Sequence, residues 1–116
     1  MTMNQVLNLD YREEENKEVI QSYLKKIKPL AKCDGKVPLT KIERVITVLS
    51  KKYNMRVRDF VPDVWSNESE IIWKAVLIDD RNLNQVGVIY GLSLYEVFAK
   101  TAIYMYSIKD KVLTRN

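Results

Sequence analysis

Histidine is absent from the chain, and cysteine occurs once, at Cys33. The first absence removes the usual general base, the Ser-His and Cys-His nucleophile pairs and the commonest metal ligand. The second excludes an internal disulfide and any multi-cysteine metal site. Small domains of oxidising compartments are often rich in paired cysteines, so a reducing, cytoplasmic setting is expected. Glycine is limited to Gly35, Gly87 and Gly91, too sparse for a phosphate-cradling loop. No apolar run approaches the ~20 residues of a membrane span. The first ten residues lack the basic start and apolar centre of a signal peptide, so no membrane association is expected.

The 116 residues match the size of one domain, with residues 1–9 expected as a flexible arm. A chain of this size buries a core without disulfides. Its formal charge of +4 is unevenly spread. From Lys25 to Arg58, eleven Lys/Arg stand against Asp34 and Glu43, a net +9, while the remainder sums to −5. Such a segment is either the solvated face of two helices or a patch for a polyanion.

Local patterns predict an α+β fold: two N-terminal helices, a small mainly antiparallel sheet and a closing helix. Asp10 and Glu13 have capping-box spacing, and Val19, Ile20, Tyr23, Leu24 and Ile27 follow on one helical face. Pro29 should end or kink that helix at Lys28. Thr40 and Glu43 repeat the capping spacing before the stripe Ile42, Val45, Ile46, Leu49 and Tyr53, with Asn54 as a left-handed stop. The period then changes. Met55 and Val57 alternate with Arg56 and Arg58 in a short strand that Pro62 either confines to a sheet edge or stops by Val61. Ile71–Ile78 is largely apolar on both faces and reads as a strand that is central or covered on both sides, returning through Asp80–Asn84 into Gln85–Tyr90. Ser93 and Glu96, with a Leu92–Val97 staple, start the last helix, predicted over Ser93–Lys109. Two stripes lie along it: Leu94, Val97, Phe98, Thr101, Met105 and Ile108, then Tyr95, Ala99, Ala102, Ile103 and Tyr106. Glu96, Lys100, Tyr104, Ser107 and Lys111 are left as its polar or amphipathic face.

Three groups of residues carry candidate chemistry. The small-plus-aromatic stripe Tyr95, Ala99, Ala102 and Tyr106, with Trp65 as a loop anchor, suits a protein interface, either a homodimer or a foreign partner. Packing by the first two helices is the competing account of the stripe. Lys51, Lys52, Tyr53, Arg56 and Arg58 suit a DNA or RNA backbone with one stacked base, or else blunt an edge strand with charge. Asp63, Asp79 and Asp80 are the carboxylates available to a metal. Pro62-Asp63 and Lys74 are partly similar to the restriction-nuclease core, but Ile72 stands where its second acid belongs. The alternative for Asp79-Asp80 is a turn held by side-chain-to-backbone bonds. Cys33, with no histidine to activate it, reads as an ordinary thiol. No catalytic centre, cofactor or metal is therefore expected.

Trp73-Lys74-Ala75 and Gly91-Leu92-Ser93-Leu94-Tyr95-Glu96 resemble elements of small phage ABA sandwich-type proteins of gram-positive phages. The resemblance covers roughly residues 42–108, and Val97 departs from it where the family-like pattern has Ala. It implies an α/β sandwich and a mobile-element origin, and no activity. Two readings follow. One is a non-catalytic binding protein, encoded by a phage or mobile element, acting through protein contact. The other is a nucleic-acid-binding module, winged-helix-like in outline, using the basic segment 25–58.

Overall fold

A computed structural model describes residues 2–62 and 72–114, with side chains described over 2–57 and 72–108. Trp65 and Asp63 lie outside the described residues, and Arg58 is described in its backbone alone.

The chain is α+β. Helices α1 (Met3–Leu7), α2 (Glu14–Leu24) and α3 (Leu39–Lys52) precede a sheet of β1 (Met55–Pro62), β2 (Trp73–Asp79) and β3 (Gln85–Gly91), and α4 (Leu94–Thr114) closes the chain. A 3-10 turn, Lys28–Leu30, separates α2 from α3. The sheet is antiparallel in the order β1-β2-β3, so β2 is central and β1 is an edge, as the two-sided apolar pattern and Pro62 imply. The ladder slips between Val57 and Asp59, leaving Arg58 at a bulge. Asn54, with φ of 56°, supplies the left-handed stop after α3.

Met55, Ala75, Leu77 and Ile89 join the helices in one hydrophobic core, while Val76 and Ile78 alternate to the other side of β2 and are also buried. α3 packs on β1, α4 packs on β2 and β3, and α1, α2 and α3 all pack on α4. The last helix is thus sandwiched between sheet and helices. That placement accounts for an apolar arc too wide for one packing surface.

Several local details differ from expectation. Residues 3–7 are helical rather than a loose arm. Thr2 Oγ1 accepts from the Gln5 amide at 3.3 Å, the Thr2 amide donates back to Gln5 Oε1 at 2.7 Å, and Val6 is sealed in the core. Asp10 does not cap α2. Its carboxylate takes the Arg12 amide and guanidinium instead, and α2 begins only at Glu14. The Arg12 hydrogen bonds hold the Asp10 carboxyl down at about 2. α2 ends at Leu24, ahead of Pro29, which sits inside the 3-10 turn. Thr40 is likewise inside α3, whose N-cap is Pro38. Ser93 does cap α4, accepting from the Glu96 amide at 3.1 Å, and the helix continues past Lys109 to Thr114.

The largest departure concerns the expected polar face of α4. Glu96 and Lys100 are buried, 5% and 3% exposed. Lys100 Nζ donates to Glu96 Oε2 at 3.1 Å and to the Leu9 carbonyl at 2.7 Å. The segment after α1 covers this part of the helix, and the carbonyl completes the ammonium's coordination in place of water. Gly91 lies against the same place. A Cβ there would approach the Val97 amide nitrogen to 2.9 Å and Glu96 Oε2 to 3.0 Å.

Candidate docking groove

Helix α3 buries Ile42, Val45, Ile46 and Leu49 at helical spacing. Val48 belongs to none of these buried rows and is 58% exposed. Arg44 and Lys52 stand one turn before and after it, so an apolar residue is bracketed by cations on an open helix face. The 3-10 turn Lys28–Leu30 faces this side of α3, because its Leu30 and the preceding Ile27 are buried in the shared core. Between turn and helix lies a groove of about 510 Å³.

Ile27, Leu30, Val45, Val48, Leu49 and Tyr53 form the apolar part of the lining, with Tyr106 entering from α4. Lys28 from the turn and Lys41, Arg44 and Lys52 from α3 supply four cations. Among the described residues no Asp or Glu lines the groove and no carboxylate pairs with any of the four. Lys41 Nζ lies 3.8 Å from Cys33 Sγ, and Lys52 Nζ lies 5.6 Å from the Tyr53 ring centre. Lys41 to Lys52 spans about 17 Å at the α-helical rise. The arrangement is an apolar trough with a cationic rim. It attracts negative charge at its edges and rewards burial of apolar surface at its floor.

The anticipated site residues distribute unevenly around this feature. Ala99 and Ala102 are fully buried, so they are core residues and offer no surface. Tyr95 is tied into the fold. Its hydroxyl donates to the Val37 carbonyl at 2.6 Å and accepts from Gln21 Nε2 at 2.9 Å, while Gln21 Oε1 takes the Val37 amide. Burial pushes the Tyr95 phenol up to about 12, with the Gln21 bond opposing it. The small-residue stripe is thus spent on packing by the preceding elements. Tyr106 alone of that set reaches the groove.

The nucleic-acid set also divides. Lys51 is exposed but does not line the groove, whereas Lys52 does. Tyr53 is buried at the groove's base and presents no open face for base stacking. Arg56 Nε is paired with Asp80 Oδ1 at 3.0 Å. Two sets assigned to different tasks therefore meet at one place, through Lys52, Tyr53 and Tyr106. Lys28, Lys41, Arg44 and Val48 were not singled out from sequence. Arg44, Val48 and Lys52 at four-residue spacing were the readable signal.

The two described members of the carboxylate set, Asp79 and Asp80, are both occupied. Asp79 is buried and accepts from the Arg81 amide at 2.9 Å and from its guanidinium, a turn held by side-chain bonds. Asp80 holds Arg56. Among the described residues no three acidic or cysteine side chains are grouped to hold a metal ion. No helix among them is long and apolar enough to cross a membrane.

No protein-family model, no curated protein and no solved structure matches the chain.

Proposed function

We propose that this protein is a non-catalytic binding protein that acts by protein–protein contact, with the groove along α3 as its contact surface. The observation that carries the proposal is four cations, none paired with a carboxylate among the described residues, around a groove that holds the exposed Val48. Leu83, Tyr90 and Leu94 are exposed apolar residues as well, and what sets Val48 apart is its place in the cation-rimmed groove. The missing histidine and the pairing of Asp79 and Asp80 with arginines support a non-catalytic role. The resemblance to small phage proteins supports an accessory role encoded by a phage or mobile element, and the lone cysteine supports a cytoplasmic setting.

The nucleic-acid reading keeps the +9 segment but loses its stacking residue, Tyr53, and leaves the apolar floor uncovered by a phosphate backbone. The homodimer reading loses Ala99 and Ala102 as surface.

The test is site-specific photo-crosslinking in the native host. Val48 and, as a control, the exposed hairpin residue Asn82 are each replaced by a benzophenone-bearing amino acid. A protein adduct formed at position 48, absent at 82 and abolished by Arg44→Glu, is the expected result. An adduct with nucleic acid, or none specific to position 48, overturns the proposal.

A further inference from the structure

We infer that the occupant of the groove is an acidic, amphipathic α-helix of a partner protein. The inference rests on the protein-contact reading and specifies the partner's chemistry. Three features of the groove select it.

The first is length and charge. The cations are spread along roughly 17 Å of α3, about three helical turns. Lys41 and Arg44 lie toward one end and Lys52 toward the other, while Lys28 stands on the opposite wall. A single carboxylate or phosphate meets one or two of them. A helix of similar length with carboxylates on both flanks of its apolar stripe meets all four.

The second is the wall material. Both walls are helical, α3 on one side and the 3-10 turn on the other. The backbone groups of α3 are engaged within the helix, and in the turn the Leu30 and Ala31 amides bond to the Ile27 and Lys28 carbonyls while Pro29 has no N–H, so an extended strand finds no row of free groups to join. A helix satisfies its own backbone and needs only side-chain contact, which is what these walls offer.

The third is the floor. Val48, 58% exposed, is its open apolar residue, and the buried Val45, Leu49, Ile27, Leu30 and Tyr53 lie around it with little surface of their own. Apolar side chains at i, i+3 or i+4, and i+7 of the incoming helix would replace water over this surface. A nucleic-acid backbone would leave it wet. The chain's own acidic helix, α2, carries Glu14, Glu15 and Glu18 but has Ile20 and Leu24 committed to the core, so α2 of a second copy brings no free apolar stripe.

The experiment is fluorescence anisotropy on the intact chain. The probe is a labelled, lactam-stapled peptide of about 12 residues with Leu at the i, i+3, i+4 and i+7 positions and Glu on the flanks. Stapling limits the ordering entropy that a short free helix would lose on binding. Comparison probes are a scrambled peptide of the same composition, a labelled DNA duplex and palmitate. Saturable binding of the patterned peptide is expected, with Arg44→Glu and Val48→Asp each weakening it about tenfold or more, a change of about 1.4 kcal/mol. Lys51→Glu makes the same charge change as Arg44→Glu on the same helix but outside the groove, so it is expected to weaken binding less than about threefold through long-range field alone. Circular dichroism establishes that each variant is folded.

Equal binding of the scrambled peptide or the duplex overturns the inference, as does equal loss in Lys51→Glu and Arg44→Glu. Preferential binding of palmitate overturns it in favour of an acyl anion. Concentration-dependent self-association abolished by Val48→Asp overturns it in favour of a second copy. No binding of the patterned peptide, together with a protein adduct at position 48, overturns the helix while leaving protein contact standing. Absence of that adduct overturns the reading on which the inference rests.

Discussion

Lys100→Met removes one side of the buried ion pair on α4. The side chain is 3% exposed, and its ammonium has two partners, Glu96 Oε2 at 3.1 Å and the Leu9 carbonyl at 2.7 Å. Methionine matches the stem but removes the charge and both hydrogen bonds. The Glu96 carboxylate is then left buried without its counter-charge. Breaking a buried pair from one side costs about 3–5 kcal/mol. A domain of this size holds only about 5–15 kcal/mol in all, so a large fraction of the stability goes with this one ammonium. Glu96→Leu/Lys100→Met removes both charges and leaves only the Leu9 carbonyl unpaired, a cost of about 1–3 kcal/mol. The double variant is therefore expected to be more stable than Lys100→Met alone. Urea denaturation followed by circular dichroism, with linear extrapolation to water, measures each difference. A loss below about 1 kcal/mol in Lys100→Met would refute the reasoning, because that is the range of exposed pairs. Simple additivity of Glu96→Leu and Lys100→Met would refute it equally, since contacting charges must couple.

Three further outcomes are expected. Tyr95→Phe leaves the Val37 carbonyl without its donor, a loss of about 1–3 kcal/mol in the same urea assay. The folded-state phenol titrates near 12, above its unfolded value of about 10, so its contribution is complete below pH 10 and is lost as pH rises from there through 12. An unchanged alkaline stability profile in Tyr95→Phe would contradict that assignment. Gly91→Ala drives a Cβ to 2.9 Å from the Val97 main chain, which cannot swing aside, and is expected to cost about 1–3 kcal/mol. Thermal melts should rank it below Gly35→Ala, where a φ of 64° is strained but the space is open. Val48→Asp, on an open helix face, is expected to change stability by no more than about 0.5 kcal/mol, whereas Val45→Asp in the core unfolds the chain. Similar melting of the two variants would mean that Val48 is covered.

Much of the element order was legible because its signals are short-range. The Ser93 cap is a bond across three residues, and the Asn54 stop is one residue's φ. The central place of β2 followed from apolar residues on both of its faces. The same local logic failed at Asp10 and Thr40, where capping spacing was present but the polar side chain was used differently or lay inside the helix. Thr2 and Gln5 carry a capping box of their own, and α1 forms behind it. A capping pattern offers the backbone a start without deciding between neighbouring starts, which depends on the burial gained next.

The last helix illustrates where the boundary falls. Its start at Ser93, its length of several turns and its wide apolar arc are properties of residues within four positions of one another, so the sequence alone determined them. What covers that arc was a matter for the tertiary structure. Ala99 and Ala102 disappear into the core, Tyr95 is held by Gln21 and Val37 from across the chain, and Lys100 is sealed by Leu9. The groove has the same origin, since Lys28, Arg44 and Tyr106 come from three separate elements. Periodicity states that a helix face is apolar or charged. Only the packing of distant segments decides whether that face is buried or left open, because burial depends on which surfaces meet and not on the residues that bear them.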